Sequence, residues 1–282
     1  MRLLFLGDSI TYGCNAFDLE SGFVSIVQSK TGFECLNFGV MGTRIAPTQG
    51  KVIYPEFEED FLKRAKRMPD ADYVFVFGGT NDFGHGDAPL GNINDKPQKT
   101  FAGSLFTLYT YLLDKYGKER IVIIPPLHRW DENSTRGENF NTKKEGSPVL
   151  NDYVKVIKQL ANNFGFRVLD ISNNIGFVDE NNKNSNPFIC SDGLHPKQTG
   201  HNLIASLIIE FLKDNKIVKF NNDSKIKDIF NDKFFNPYSK YLFYNWDINI
   251  EKTNIYLIGS TILDAINKFY NLVKDGKTSI CH

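Results

Sequence analysis

The feature that most constrains this chain is a rhythm. Short apolar runs of strand length alternate with stretches of helical periodicity from the N-terminus to near residue 213. Arg2–Leu6, Glu34–Phe38, Tyr73–Phe77, Arg120–Ile124 and Phe166–Ile171 are the strand candidates, rich in Val, Ile, Phe and Tyr. Largely unbroken apolar strands are what a parallel sheet covered on both faces requires. Between them, Phe57, Phe61, Leu62, Ala65 and Met68 share one helical face, with Glu58, Glu59, Asp60, Lys63 and Lys66 mostly on the other. Phe101–Tyr116 repeats the pattern through Leu105, Leu108 and Leu112, and Gly117 is placed to end it. Asn151–Phe164 follows through Val154, Ile157 and Ala161, and Gln198–Lys213 through Leu203, Ile204, Leu207, Ile208 and Leu212. Strands alternating with helices of this length predict βαβ units and an open, doubly wound parallel α/β sheet.

Two segments break the rhythm. Trp130–Pro148 is polar and carries Gly137 and Gly146, so it reads as a long loop, and loops of that kind are often lids or binding loops. Residues 216–282 hold Phe234, Phe235, Tyr241, Phe243, Tyr244 and Trp246, a content that a disordered tail lacks. The expected organisation is therefore a domain over 1–215 and a small mixed extension over 216–282. Within the extension, Ile255–Ile258 reads as a strand, Gly259-Ser260 as a turn, and Leu263, Ile266, Phe269 and Leu272 as a helix face. A dinucleotide site would need a G-x-G-x-x-G pattern there, and only Gly259 is present.

Composition excludes several classes. The 282 residues carry 33 Lys+Arg and 33 Asp+Glu, so nothing draws the chain to nucleic acid. No apolar run approaches the ~20 residues a membrane span needs. The run Met1–Leu6 stops at Gly7-Asp8, short of a secretory h-region. Cys14, Cys35, Cys190 and Cys281 form no CxxC, so the expectation is a cytoplasmic protein with reduced thiols.

In an open parallel sheet, ligands bind outside the carboxyl ends of the strands. The residues there are Gly7-Asp8-Ser9 after the first strand, Gly39 to Gly42 after the second, and Gly78-Gly79-Thr80-Asn81-Asp82 after the third. After the fifth, Ser191-Asp192-Gly193-Leu194-His195-Pro196 leads into the last clear helix. Each alone has a bland explanation: Asp-Ser caps a helix, Gly-Gly-Thr-Asn-Asp turns with Asn in the left-handed region, and Asp-x-x-His lies on a surface loop. Together at one sheet edge they supply a serine nucleophile, a histidine base, an acidic orienter, and glycine and asparagine donors.

These residues also resemble a known family. Gly7-Asp8-Ser9, Gly42, Gly79-Thr80-Asn81-Asp82 and Asp192-Gly193-Leu194-His195-Pro196 are similar, in order and spacing, to the four signature blocks of the GDSL, or SGNH, hydrolase superfamily. Ile10 stands where the family name has Leu. The resemblance covers residues 1–215 and implies a three-layer, flavodoxin-like fold with a five-stranded sheet. It also implies Ser9 as nucleophile, His195 as base and Asp192 as its orienter. The oxyanion hole would be the Ser9 and Gly42 backbone N–H groups and the Asn81 side chain, with no metal or organic cofactor.

The function so implied is hydrolysis of carboxylic esters through an acyl-enzyme. Short acyl groups on a small-molecule or carbohydrate substrate come first, because no long apolar lid is visible. The alternatives are a lysophospholipase or thioesterase, an acyltransferase to a sugar hydroxyl, and a carbohydrate-binding pseudoenzyme. Oligomeric state is not legible. Asp8 and Asp82 flank the site and either tie loop backbone or meet substrate. His85, between Gly84 and Gly86-Asp87, is structural or binds substrate or metal. Arg44 is a surface side chain or contacts an anionic or hydroxyl-rich substrate. Trp130, after His128-Arg129, either anchors the long loop or stacks on a sugar ring.

Overall fold

Five strands form one all-parallel sheet: β1 (Arg2–Gly7), β2 (Glu34–Gly39), β3 (Tyr73–Phe77), β4 (Ile121–Ile124) and β5 (Arg167–Val168). Their order is β2-β1-β3-β4-β5, so the chain steps from β1 outward to β2 and then returns to the other side of β1 for β3. That reversal opens the crevice in which ligands of open α/β sheets bind. In this computed structural model the described residues are 1–48, 59–85, 88–96, 98–135, 146–176, 184–215 and 217. The strand–turn–helix expected within 216–282 and the middle of the long loop lie outside them.

Eight helices are seen among the described residues. They are α1 (Ser9–Tyr12), α2 (Phe23–Thr31), α3 (Phe61–Arg67), α4 (Thr80–His85), α5 (Phe101–Tyr116), α6 (Leu150–Phe164), α7 (Ser172–Ile175) and α8 (Gln198–Asp214). Side chains alternate across the sheet, as the two-residue period of a strand demands. Leu4, Leu6, Val74, Val76, Ile121 and Ile123 join α3, α5 and α6 in one core cluster. On the other face Phe5 stacks on Phe75 at 4.9 Å and meets Phe23 of α2 edge-on at 5.8 Å. Phe23 in turn stacks on His201 of α8, which packs along α2. The sheet is thus a middle layer between two helical ones.

The sequence reading matches β1, β3, α5, α6 and α8 to within a residue or two. It departs at the sheet edges. β2 is an edge strand with one neighbour, and its Glu34 and Asn37 are exposed rather than buried. β5 is two residues long rather than six, because Asp170 turns the chain by accepting from the Ser172 amide at 3.1 Å. Four helices, α1, α2, α4 and α7, were not expected, three of them a turn or so in length. Among the described residues no helix is long and apolar enough to cross a membrane.

A tight backbone-to-backbone joint lies where α1 crosses β2. A Cβ on Gly39 would come within 2.2 Å of the Tyr12 amide nitrogen and 2.6 Å of the Thr11 carbonyl carbon. Backbone on backbone leaves no flexible atom to give way. Gly39→Ala is expected to lower unfolding free energy by about 2–3 kcal/mol in urea titration, the scale of an overpacked core. An unchanged midpoint would show that the joint opens freely.

Candidate active site

Ser9 owes its position to a glycine and a cap. β1 ends at Gly7, where a Cβ would meet Thr11 Oγ1 at 1.9 Å, so only glycine allows α1 to start so close to the strand. Asp8 then caps α1, its Oδ1 accepting from the Ile10 amide at 3.0 Å. The serine follows as the first helical residue, and its own N–H is one that the helix leaves without an internal acceptor.

His195 arrives from the far end of the chain. Residues 189–196 form a closed loop, pinned by an antiparallel bridge between Ile189 and Pro196 and by the Cys190 amide donating to the His195 carbonyl at 2.8 Å. Inside it, Asp192 Oδ1 accepts from the Leu194 and His195 amides, each at 2.9 Å, while Oδ2 lies 2.7 Å from His195 Nδ1. Burial pushes the Asp192 carboxyl up, but the hydrogen bonds from the His195 ring and the two amides outweigh it and hold the group down at about 2. A charged Asp192 only accepts, so Nδ1 carries the ring proton and Nε2 is left with its lone pair. Nε2 lies 2.9 Å from Ser9 Oγ. The serine hydroxyl therefore donates into a histidine already oriented for it.

Gly193 adopts φ +69, and a Cβ there would meet Trp130 Cδ1 at 2.4 Å. The Trp130 amide also donates to the Gly193 carbonyl at 3.0 Å. Of the two roles read for Trp130, the loop anchor is the one this packing supports. The neighbouring Arg129 is 1% exposed; it forms a fork on Asp131 and donates through Nη1 to Thr80 O and Oγ1 at 3.3 and 3.2 Å. Residues 129–131 thus strap the start of α4 to the Asp192–His195 turn.

Asn81 and Gly42 come together across the crevice. Asn81 Nδ2 donates to the Thr43 carbonyl at 3.0 Å, which uses one amide hydrogen and leaves the other. Gly42 adopts φ +70, a left-handed conformation natural to glycine. Asp82 secures the same loop from below, Oδ2 accepting from the Ile45 amide at 3.0 Å and Oδ1 from the Ala46 amide at 2.9 Å. Asp82 and Asp8 are 3% and 1% exposed, and both carboxylates are engaged by backbone amides, as one of the two sequence readings has it. The left-handed Asn turn does not occur: Asn81 lies in α4, and among the described residues only Asn15 has a positive φ outside glycine.

The other candidates stand at the margin. Arg44 is half-buried, with Nη2 2.5 Å from Thr48 Oγ1. His85 is half-buried at the end of α4; its neighbours Gly86 and Asp87 lie outside the described residues. Cys14, Cys35 and Cys190 are free, and burial pushes each thiol up, Cys35 to about 12. Among the described residues no three His, Cys, Asp or Glu side chains gather as a metal ion would need.

Three residues escaped the sequence reading: Arg64, Arg129 and Gln198. Arg64 sits on the buried face of α3, three residues after Phe61 and one before Ala65. A charge on an apolar stripe was the available signal. Gln198 opens α8, donating to Ser21 O at 2.8 Å and accepting from the Phe17 amide at 3.0 Å. Nothing in its spacing announced that.

Ser9, His195 and a charged Asp192 thus stand in one hydrogen-bonded line at the switch point of a doubly wound sheet. The model of the GDSL-like lipase/acylhydrolase family matches residues 5–203, and the chain belongs to that family. A crystal structure of a protein from Lactobacillus plantarum is similar at 27% identity, with a TM-score of 0.61 over 76% of this chain and 96% of that one. A lipase/acylhydrolase from Enterococcus faecalis aligns at 19% identity and a TM-score of 0.51, covering 76% and 96%. A protein described as a possible lipase from Chitinophaga pinensis aligns at 20% and 0.55, covering 77% and 99%. These last two share the fold. No curated protein matches the chain. The protein is an ester hydrolase.

The buried cap yields a prediction with a definite sign. Burial pushes the Asp8 carboxyl up to about 6, against the Ile10 amide and the charges of His195 and Arg64, which pull it down. The folded state therefore holds the proton more tightly than the unfolded chain, and stability is lost as pH rises from about 4 to 6. Asp8→Asn keeps a capping oxygen and removes the buried charge. It should raise unfolding free energy by about 2–3 kcal/mol at pH 7, with the difference vanishing below about pH 4. A variant no more stable than wild type at pH 7 contradicts this.

Proposed function

We propose that this protein hydrolyses carboxylic esters through an acyl-enzyme on Ser9, and that its substrates carry short acyl groups on small or carbohydrate-type alcohols. The observation that carries the mechanism is the continuous hydrogen-bonded line from Ser9 Oγ through the His195 ring to a charged Asp192, at 2.9 and 2.7 Å. In the first half-reaction Ser9 Oγ attacks the ester carbonyl carbon while its proton passes to His195 Nε2. The carbonyl electron pair moves to oxygen, which the Ser9 and Gly42 N–H groups and the second Asn81 amide hydrogen receive. Collapse re-forms the carbonyl and expels the alcohol, which takes the proton back from Nε2. Water then repeats the sequence on the acyl-enzyme. Asp192 stabilises the imidazolium in each half-reaction without taking its proton.

The substrate reading draws on the partly exposed side chains among the candidates. Arg44 and His85 are polar, which suits a hydroxyl-rich alcohol better than a fatty chain. Fold and triad leave the alcohol open, so the acyl length is the quantity to measure.

Ser9→Ala should abolish hydrolysis of p-nitrophenyl acetate while leaving the urea midpoint near wild type, and wild-type turnover by that variant would refute the mechanism. Asn81→Ala should lower kcat on the order of a hundredfold with little rise in KM, as for a donor used in the transition state. An unchanged kcat removes Asn81 from the oxyanion hole. Across p-nitrophenyl esters of rising chain length, kcat/KM should peak at acetate. A peak at long chains overturns the short-acyl reading.

A further inference from the structure

Arg64 is 2% exposed, the guanidinium of a helix whose other buried residues are Phe61, Leu62 and Ala65. Its charge is kept under solvation loss: burial pulls it down to about 10, still fully protonated at neutral pH. A buried cation must be met by acceptors on every side. The acceptors it meets are not a carboxylate but the carboxyl edge of the sheet. Nη1 donates to the Gly7 carbonyl at 2.7 Å and to the Phe38 carbonyl, the ends of β1 and β2. Nη2 donates to Thr43 Oγ1 at 2.7 Å, and Nε to the Glu59 carbonyl at 3.1 Å. The ring of Phe61 lies under the guanidinium, 4.6 Å from its carbon.

Two of these partners, Gly7 and Thr43, lie next to the proposed oxyanion donors in the chain. Gly7 precedes Asp8-Ser9, and its carbonyl also accepts from Val40 at 3.2 Å, the residue that leads into Met41-Gly42. Thr43 follows Gly42, and its carbonyl is the acceptor that holds Asn81 Nδ2 at 3.0 Å. One planar fork therefore reaches the Phe38 carbonyl before Gly42, the hydroxyl of Thr43 after it, and the Gly7 carbonyl at the turn into Ser9, and Thr43 is also the residue that aims Asn81. A lysine has a single point of donation and would hold fewer of these at once.

We infer that Arg64 is a positioning residue for the reaction: its guanidinium sets the mutual spacing of the Ser9, Gly42 and Asn81 donors from beneath, without touching substrate. The inference rests on the oxyanion-hole reading given under Proposed function. Its energetic logic is that donors aimed at a transition state lose most of their effect when displaced by about 1 Å. Thr43, 1% exposed, is the relay, since its hydroxyl takes Arg64 and its carbonyl takes Asn81.

The test is a double-mutant cycle on p-nitrophenyl acetate hydrolysis, with Ser9→Ala in the same assay. Arg64→Met should lower kcat at least about tenfold with KM within about threefold of wild type, because misplaced donors fail in the transition state. Arg64→Lys should recover part of that loss. In an Asn81→Ala background, Arg64→Met should cost at least about threefold less than in wild type, since one of the donors it positions is already gone. A wild-type kcat, a loss in KM alone, or an equal loss in both backgrounds overturns the role. If Arg64→Met does not fold, Thr43→Val decides: it removes the hydroxyl that accepts from Arg64 and donates to the Val40 carbonyl at 2.7 Å, and keeps the carbonyl that holds Asn81. It should lower kcat about fivefold at unchanged KM, less so with Asn81→Ala, whereas full activity overturns the role. Activity that survives Ser9→Ala refutes the serine mechanism itself. An inactive Ser9→Ala beside a fully active Arg64→Met refutes only the arginine's part.

Discussion

One contact organises the molecule: Ser9 Oγ meets His195 Nε2 at 2.9 Å across 186 residues of chain. To bring the ends of the domain together, β1 must be an inner strand and the chain must return to its carboxyl end after β5. The first turns of α8 then dock on the segment that follows Ser9. His201 Nε2 lies 2.9 Å from the Cys14 carbonyl, and burial lowers the ring's basicity, which leaves a neutral donor. Gln198 bonds the backbone at Phe17 and Ser21. Ser9 and His195 thus hang from two pieces of chain bolted together just behind them.

Two carboxylates near that contact are driven in opposite directions. Asp192, an exposed side chain surrounded by donors, stays charged to about pH 2, which fixes the histidine tautomer. Asp8, fully buried with one amide as its hydrogen-bond donor, rises to about 6. The difference is a count of donors against burial. The same reasoning explains the two buried arginines, each placed where several acceptors converge. Arg64 gathers the carbonyl ends of β1 and β2 with Thr43, and Arg129 gathers Asp131 and Thr80. Both fasten loops that β1 and β3 leave hanging at the crevice.

How much of this the amino-acid order displays depends on the range of the interaction. β3 and α5 are legible because their burial is local and periodic, every residue after Tyr73 and every third or fourth after Phe101. Ser9 and Asn81 are legible because their motifs sit at strand ends, where the fold collects ligands, and Asp192 and His195 because they share one short motif just before α8. The short α1, α4 and α7 have no room for a periodic stripe; α1 depends on the Asp8 cap, and α7 begins where Asp170 accepts from the Ser172 amide. The length of β5 was overestimated because an apolar run does not say how far a neighbour pairs with it. Arg64 was missed because its partners include carbonyls distant in sequence, 57 residues away in the case of Gly7, and Arg129 because the Thr80 it holds is 49 residues away. A helix stripe with one arginine in it deserves to be read as a polar anchor rather than as noise.

The central claim is that Ser9 becomes acylated, and acid-quenched mass analysis of a single turnover tests it most directly. Mixing the enzyme with p-nitrophenyl acetate should give a burst of p-nitrophenol. Peptide mapping of the quenched protein should find one acetyl group on the peptide that carries Ser9. The account predicts that this adduct accumulates and then decays at the steady-state rate, most slowly in Asn81→Ala. Turnover with no acetyl on Ser9 at any quench time, or with acetyl on another side chain, would contradict it.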